Sequence, residues 1–452
     1  MATRGMKGEP VSAIVAAVAM LCVCALAAQA PRAARTVAFE GARLITGNGD
    51  VVERSTFVIE NGRFTSVGRQ GAAKVPSGAD RVDLAGKTVM PALIDVHTHL
   101  GYRKGATFLA ENFTRDTVLD ELDRFAYYGV AAVASAGTDR GDLTLRLRDE
   151  PDESRRGVLV RTAWRGLAPP DAGPNPPMRD APYGVTTEDE ARRDVRELAA
   201  KHADFVKIWV DDRNGAVKKL SPALYRAIID EAHKQNLRVF AHIAALADAK
   251  DLVRSGVDGF LHAVRDCDVD QELLELLKAR PNVFFTLTLF APRLATYSDR
   301  PPWLDETAIR EAVSPDVIAQ LAETIARRTP AAVATARDEW NQLARNVAAL
   351  NRAGVRLALG TDVGGASAGG MFGWTEHVEL EHMVSAGLTP AQTIAAATRT
   401  AAGILRLDDR GTIAVGKSAD FLVLDANPLE SIAHTRRIAR VYLRGNEVSR
   451  RR

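Results

Sequence analysis

Through the middle of the chain, short apolar runs alternate with longer amphipathic stretches. The runs fall at residues 92–96, 130–135, 158–163, 204–209, 238–242, 259–262, 283–287 and 355–359. Each is strand-length, and the stretches between them repeat their apolar positions at helical spacing. That alternation predicts parallel strands joined by crossover helices. Helix starts are also marked. Thr187 and Glu190 have capping-box spacing, and Ser221-Pro222 and Thr389-Pro390 place a hydroxyl ahead of a first-turn proline. Gly129, Gly157, Gly256 and Gly354 precede apolar runs, as expected where a helix ends before a strand.

The two ends have a different texture. Residues 36–89 break into short strands separated by Gly47-Asn48-Gly49-Asp50 and Asn61-Gly62, pairs that suit tight hairpins. Similar runs return near residues 411–415, 421–424 and 439–443. The predicted class is α/β: a (β/α)8 TIM barrel over residues 91–404, with a small β-sandwich domain built from residues 31–90 and 405–452. The site of such a barrel lies on the loops after the strands. The proline-rich segment 169–182 follows the third strand and reads equally as a lid or as an inert surface loop.

A chain of 452 residues exceeds one ordinary core, which agrees with a barrel plus a smaller module. Its formal charge of +2 is nearly balanced, and part of the basic excess sits in the tail from Arg450 to Arg452. This excludes the clustered basic face that a nucleic-acid partner requires. Arg4 and Lys7 precede an uncharged run at residues 11–28, so residues 1–30 read as a signal peptide and the protein as periplasmic or secreted. An uncleaved run could instead anchor the chain; once cleaved, it leaves no stable membrane partner. Cys22 and Cys24 lie in this segment, leaving Cys267 without an internal disulfide partner.

The chemistry is concentrated where apolar runs end. His97 and His99 stand two apart at the end of the first strand, so both face the same side. Lys207 interrupts the fourth strand, His242 and His262 close the fifth and sixth, and Asp362 follows the eighth. All six fall toward the C-terminal ends of barrel strands. A lysine and an aspartate facing a barrel interior are costly unless paired or bound to metal.

With these residues and the segment Val89-Met90-Pro91-Ala92-Leu93-Ile94-Asp95-Val96-His97-Thr98-His99, the chain resembles the amidohydrolase superfamily. Within it, the resemblance is to imidazolonepropionase-related and Xaa-Pro-dipeptidase-like members. The resemblance implies a hydrolase of carbon–nitrogen bonds acting on a small molecule, with two divalent metal ions, commonly zinc. His97, His99 and Asp362 would hold one ion, and His242 and His262 the other. Lys207, carboxylated by carbon dioxide, would bridge them as a carbamate, and Asp362 would shuttle the proton. The same site could serve an esterase, lactonase or phosphotriesterase. A non-catalytic relative would have no need of six ligand positions. Departures from the dipeptidase pattern occur at Ala244 and at Ser135-Ala136-Gly137-Thr138. Tyr102 and His377 are candidates for substrate contact, while Asp211 and Asp212 read as a solvated loop. Assembly into a homo-oligomer is compatible with the sequence.

Overall fold

The structure is a computed structural model that describes residues 1–3, 5, 36–365 and 371–450. The expected signal peptide falls outside them except for its first few residues, as do Cys22 and Cys24. Among the described residues, no helix is long and apolar enough to cross a membrane.

Each apolar run of the middle segment carries a strand. These are β1 (Leu93–Thr98), β2 (Val130–Ser135), β3 (Leu159–Thr162), β4 (Val206–Val210), β5 (Val239–Ile243), β6 (Gly259–Phe260), β7 (Phe284–Thr286) and β8 (Arg356–Ala358). Helices lie between each strand and the next, and their starts follow the local chemistry. Thr187 and Glu190 form a reciprocal capping box on the helix Glu188–Ala200, and Ser221 accepts from the Leu224 N–H at the start of Pro222–Lys234. The helix Leu246–Ser255 ends on Gly256 at φ 100°, a left-handed conformation that glycine adopts without penalty.

The strands pair in parallel in two ladders. One runs β3-β2-β1, and the other continues from β4 through β8 in sequence order. Backbone hydrogen bonds join the ladders at both edges. On one side Val96 N donates to Leu359 O, Asp362 N to His97 O and His99 N to Val363 O; on the other, Asp204 N donates to Thr162 O. The arrangement is TIM-barrel-like but lacks the single continuous ladder expected. Trp164, at φ 55°, turns the chain out of β3. The short strand Leu167–Ala168 then takes the place beside β4, with Leu167 paired to Ile208.

The two chain ends meet in one six-stranded sheet, where Phe421–Leu424 runs antiparallel to Thr88–Pro91. A second sheet of four strands comes from the N-terminal segment alone. Its hairpin turns at Asn61-Gly62, with φ of 50° and 73°, as the Asn-Gly pair predicts. Phe39, Phe57 and Phe64 of this sheet share a buried cluster with Phe421 and Tyr442 of the other. Contacting ring pairs in the cluster have centroids 4.6–5.9 Å apart.

Within the parallel strands, Phe205, Phe240, Phe284 and Leu261 belong to a second buried cluster, with Ile94 and Val96. Phe205 and Phe240 stack at 4.6 Å, two residues before Lys207 and His242. Because strand side chains alternate, this apolar layer is the floor on which the polar rim stands.

The aromatic cluster joining the terminal sheets gives a direct test. Phe421→Ala should lower unfolding free energy by about 3–5 kcal/mol, read from urea denaturation. A loss below ~1 kcal/mol would mean the two sheets do not depend on that contact.

Candidate metal centre

The two histidines of β1 are brought together by alternation and by what lies behind them. Asp95, fully buried two positions earlier, accepts from the His97 N–H at 2.8 Å and, through its other oxygen, from the Thr361 hydroxyl at 2.6 Å. The end of β1 is thereby fastened to the segment leaving β8. Burial lifts the Asp95 carboxyl to about 6 and holds its buried neighbour Glu376 well above the usual range. Two carboxyls sharing a dry site cannot both ionise cheaply.

That segment delivers Asp362 in an unusual conformation. Its φ is 60°, in the left-handed region, and Asp362 N is held by the His97 carbonyl at 2.8 Å. Two residues on, Gly364 has φ 82°, and a Cβ there would stand 1.7 Å from the His99 carbonyl oxygen. Only glycine allows the two chain segments to approach so closely. The consequence is a convergence of donors. Asp362 Oδ1 lies 3.3 Å from His97 Nε2 and 3.0 Å from His99 Nε2. Donor atoms of His97, His262 and Asp362 all fall within 4.8 Å of one another. The His262 ring centre is 5.0 Å from that of His97 and 4.2 Å from that of His242.

Hydrogen bonds orient three of the four imidazoles. Thr138 Oγ1 meets His99 Nδ1 and Thr288 Oγ1 meets His262 Nδ1, each at 2.7 Å. Asp211 Oδ2 takes His242 Nε2 at 3.0 Å. Against this, both ring nitrogens of His97, His262 Nε2 and Lys207 Nζ are buried without a hydrogen-bond partner. Buried polar atoms of that kind are rare and call for a ligand.

Burial and neighbouring charge set the protonation states. His97 and His262 are held well below the ordinary imidazole value by burial, and by the charges of Lys207 and other imidazoles. His242 falls to about 4, chiefly through burial. The fully buried Lys207 amine drops to about 7. Burial would raise Asp362, but His97, His99 and Lys207 pull it below the carboxylate range. At neutral pH the cluster therefore offers His97, His242 and His262 as neutral imidazoles, one carboxylate and an amine that readily gives up its proton.

The structure places the remaining candidates elsewhere. Tyr102 is fully buried and donates its hydroxyl to the Thr138 carbonyl, so it braces the residue that orients His99 rather than facing solvent. His377 is also fully buried. Its Nε2 meets the Tyr128 carbonyl at 2.8 Å, just ahead of β2 and thus at the end of the sheet opposite the histidines. It cannot reach a ligand at the mouth. Asp211 is not a solvated loop residue, since its side chain is 11% exposed and bonded to His242. Sequence reasoning also passed over Thr138, Thr288, Asp95 and Arg265. The only advance signal was the position of Asp95 inside the His-x-His strand. The proline-rich segment 169–182 is fastened to the loop after β4, where Arg213 donates to Gly173 O at 2.6 Å and to Asn175 Oδ1 at 3.1 Å.

Known proteins resemble the chain over this whole region. The model of the Amidohydrolase family matches residues 88–448. An imidazolonepropionase of Mycolicibacterium smegmatis is 27% identical over 389 residues, covering 83% of this chain and 85% of that one. A 5-methylthioadenosine/S-adenosylhomocysteine deaminase of Halalkalibacterium halodurans is 23% identical over 429 residues, covering 86% and 85%. Among solved structures, a Xaa-Pro dipeptidase with methionine in its active site superposes with a TM-score of 0.70 at 22% identity, covering 91% and 99%. That last likeness speaks for the fold alone.

The lowered Lys207 value has a signed consequence. Between about 7 and about 10.5 the unfolded chain holds the lysine proton and the folded chain does not, so stability rises with pH in that window. Metal-free wild-type protein should gain stability relative to Lys207→Met as pH rises from about 7 to about 10, measured by denaturant titration. A flat difference would show that the amine is solvated.

Proposed function

Because the chain belongs to the amidohydrolase family and is a hydrolytic enzyme acting on carbon–nitrogen bonds, we propose that it cleaves an amide, dipeptide or cyclic amide at the cluster of His97, His99, Lys207, His242, His262 and Asp362. The observation that carries this reading is the set of buried nitrogens on His97, His262 and Lys207 that make no hydrogen bond, together with the ionised Asp362. Imidazole nitrogen with carboxylate oxygen is a donor set for a divalent transition metal, and second-layer hydrogen bonds like those on His99, His242 and His262 are what such ligands use. The residues present therefore fit a metal.

In this reading His97, His99 and Asp362 would hold one divalent ion and His242 and His262 a second, zinc suiting the donors. Lys207, whose buried amine gives up its proton readily, would serve the same ions as an oxygen ligand once carboxylated by carbon dioxide. When bound, such ions polarise a carbonyl and acidify water. The protein supplies the rest. Asp362, ionised and beside two imidazoles, accepts a proton at its carboxylate and returns it to the leaving nitrogen. Thr138, Thr288 and Asp211 keep His99, His262 and His242 in one orientation, so that no reorganisation is needed as charge develops. The apolar layer of Phe205 and Phe240 excludes water from below. The parallel strands would close as a (β/α)8 barrel, with the terminal sheets as a small sandwich, and the apolar run after Arg4 and Lys7 supports export to the periplasm or beyond.

Elemental analysis of purified protein should find a stoichiometric divalent metal, and chelation should abolish hydrolysis of an amide and dipeptide panel. Full activity in metal-free protein would overturn the mechanism. Asp362→Asn should cost at least about 10²–10⁴-fold in kcat with an unchanged circular dichroism spectrum, whereas near-normal turnover would refute the assigned proton transfer. Asp211→Asn should weaken metal retention about 10–100-fold in chelator competition, because a neutral amide holds the His242 ring less strongly than the carboxylate does.

A further inference from the structure

Two guanidinium groups stand at the mouth on the His242 side. Arg213, on the loop after β4, and Arg265, shortly after His262, line one cavity of about 350 Å³ with Asp211, Asn214 and Ala244. Pro292, Ala336 and Leu343 give it an apolar wall. Its acidic groups have other duties or positions. Asp211 holds His242, Asp266 accepts from the Leu246 N–H at 2.9 Å, and Glu339 is exposed on a neighbouring helix.

The two arginines are held differently, Arg213 by neutral acceptors and Arg265 by a single-nitrogen ion pair. Arg213 is fastened by the neutral acceptors Gly173 O and Asn175 Oδ1. Arg265 reaches Asp211 Oδ2 through one nitrogen at 3.4 Å, and the same nitrogen lies 3.4 Å from His242 Nε2. Burial holds the Arg213 guanidinium below its ordinary value, aided by the charges of Arg179 and Arg265 despite the opposing pull of Asp211. The Arg265 charge is felt at Lys207, His242 and His262 as well. Among the described residues Arg213 carries no carboxylate partner of its own, and Arg265 spends one nitrogen on Asp211. Both therefore keep donors for an anion, in a cavity that adjoins His242 through Asp211. The planar fork of arginine fits a carboxylate in particular.

We propose that Arg213 and Arg265 bind a carboxylate of the substrate, so that the bond cleaved belongs to an N-acyl amino acid or dipeptide-like anion and not to a neutral amide. This rests on the reading of the adjoining His242 as part of the hydrolytic centre. The 3.4 Å separation of Arg265 from His242 suits an acid group carried on the carbon next to the scissile nitrogen. Pro292, Ala336 and Leu343 would take the side chain on that carbon.

The test uses the metal-loaded full chain and a panel of N-methanesulfonyl amino acids, in which a sulfonyl replaces the scissile carbonyl, alongside their neutral methylamides. Binding is read by calorimetry, without turnover. The acids should bind at least about tenfold tighter than the matching methylamides. Arg265→Gln and Arg213→Gln should each remove most of that ratio through weaker acid binding, with methylamide binding unchanged. Arg265→Lys should restore only part of it. Equal binding of acids and methylamides, no binding of any acid, or a ratio that survives in the double glutamine variant would overturn the proposal. Acid selectivity without carbon–nitrogen hydrolysis would leave this site standing and remove the hydrolytic reading. Hydrolysis without acid selectivity would do the reverse.

Discussion

Four imidazoles and an amine drawn out of water around one partly exposed carboxylate, at one rim of a parallel sheet, form the constraint on which the rest of the molecule depends. Removing such groups from solvent is costly, and charged forms suffer most. The fold meets that cost in two ways. It lowers the charge, leaving His97, His242 and His262 neutral and the Lys207 amine near its titration point. It also keeps one ionised carboxylate, Asp362, within 3.3 Å of two imidazole nitrogens. What is not compensated internally, above all the nitrogens of His97, His262 and Lys207 that make no hydrogen bond, is left for a ligand.

Holding that arrangement requires a second layer of ordinary polar contacts. Asp95 ties β1 to the segment after β8 through Thr361, and the same junction tolerates only glycine at position 364. Thr138, Thr288 and Asp211 each fix one ring. Tyr102 and His377, which the sequence offers as substrate contacts, turn out to be bracing elements, one behind Thr138 and one at the far end of β2. Polar groups close to a site in sequence need not face it, because a buried loop must satisfy its own hydrogen bonds first.

The strand-terminal residues were the most legible part of the molecule. A histidine, lysine or aspartate interrupting an apolar run breaks the pattern wherever it occurs, and period-two alternation tells which face it takes. The second layer was not legible. Asp211 sits beside Asp212 in a polar loop, and nothing local distinguishes the aspartate that bonds His242 from its neighbour. Arg213 and Arg265 lie 52 positions apart in the chain and acquire meaning only when β4 and β6 bring their loops to one cavity. The ladder break after β3 was also hidden, since it depends on the positive φ at Trp164, a residue type that does not announce it.

By itself, the sequence determined the alternating α/β class, the positions of the strands, the hairpin at Asn61-Gly62, and the six residues at the strand ends. All follow from rules acting over a few neighbouring residues: side-chain period, turn chemistry and the cost of a polar group in an apolar run. Only the tertiary structure decided which donors face each other, which make no hydrogen bond, and which loop residues orient them or line the neighbouring cavity. Those are relations between segments far apart in the chain, set by strand register and by the packing of loops over the rim, and no local pattern encodes them.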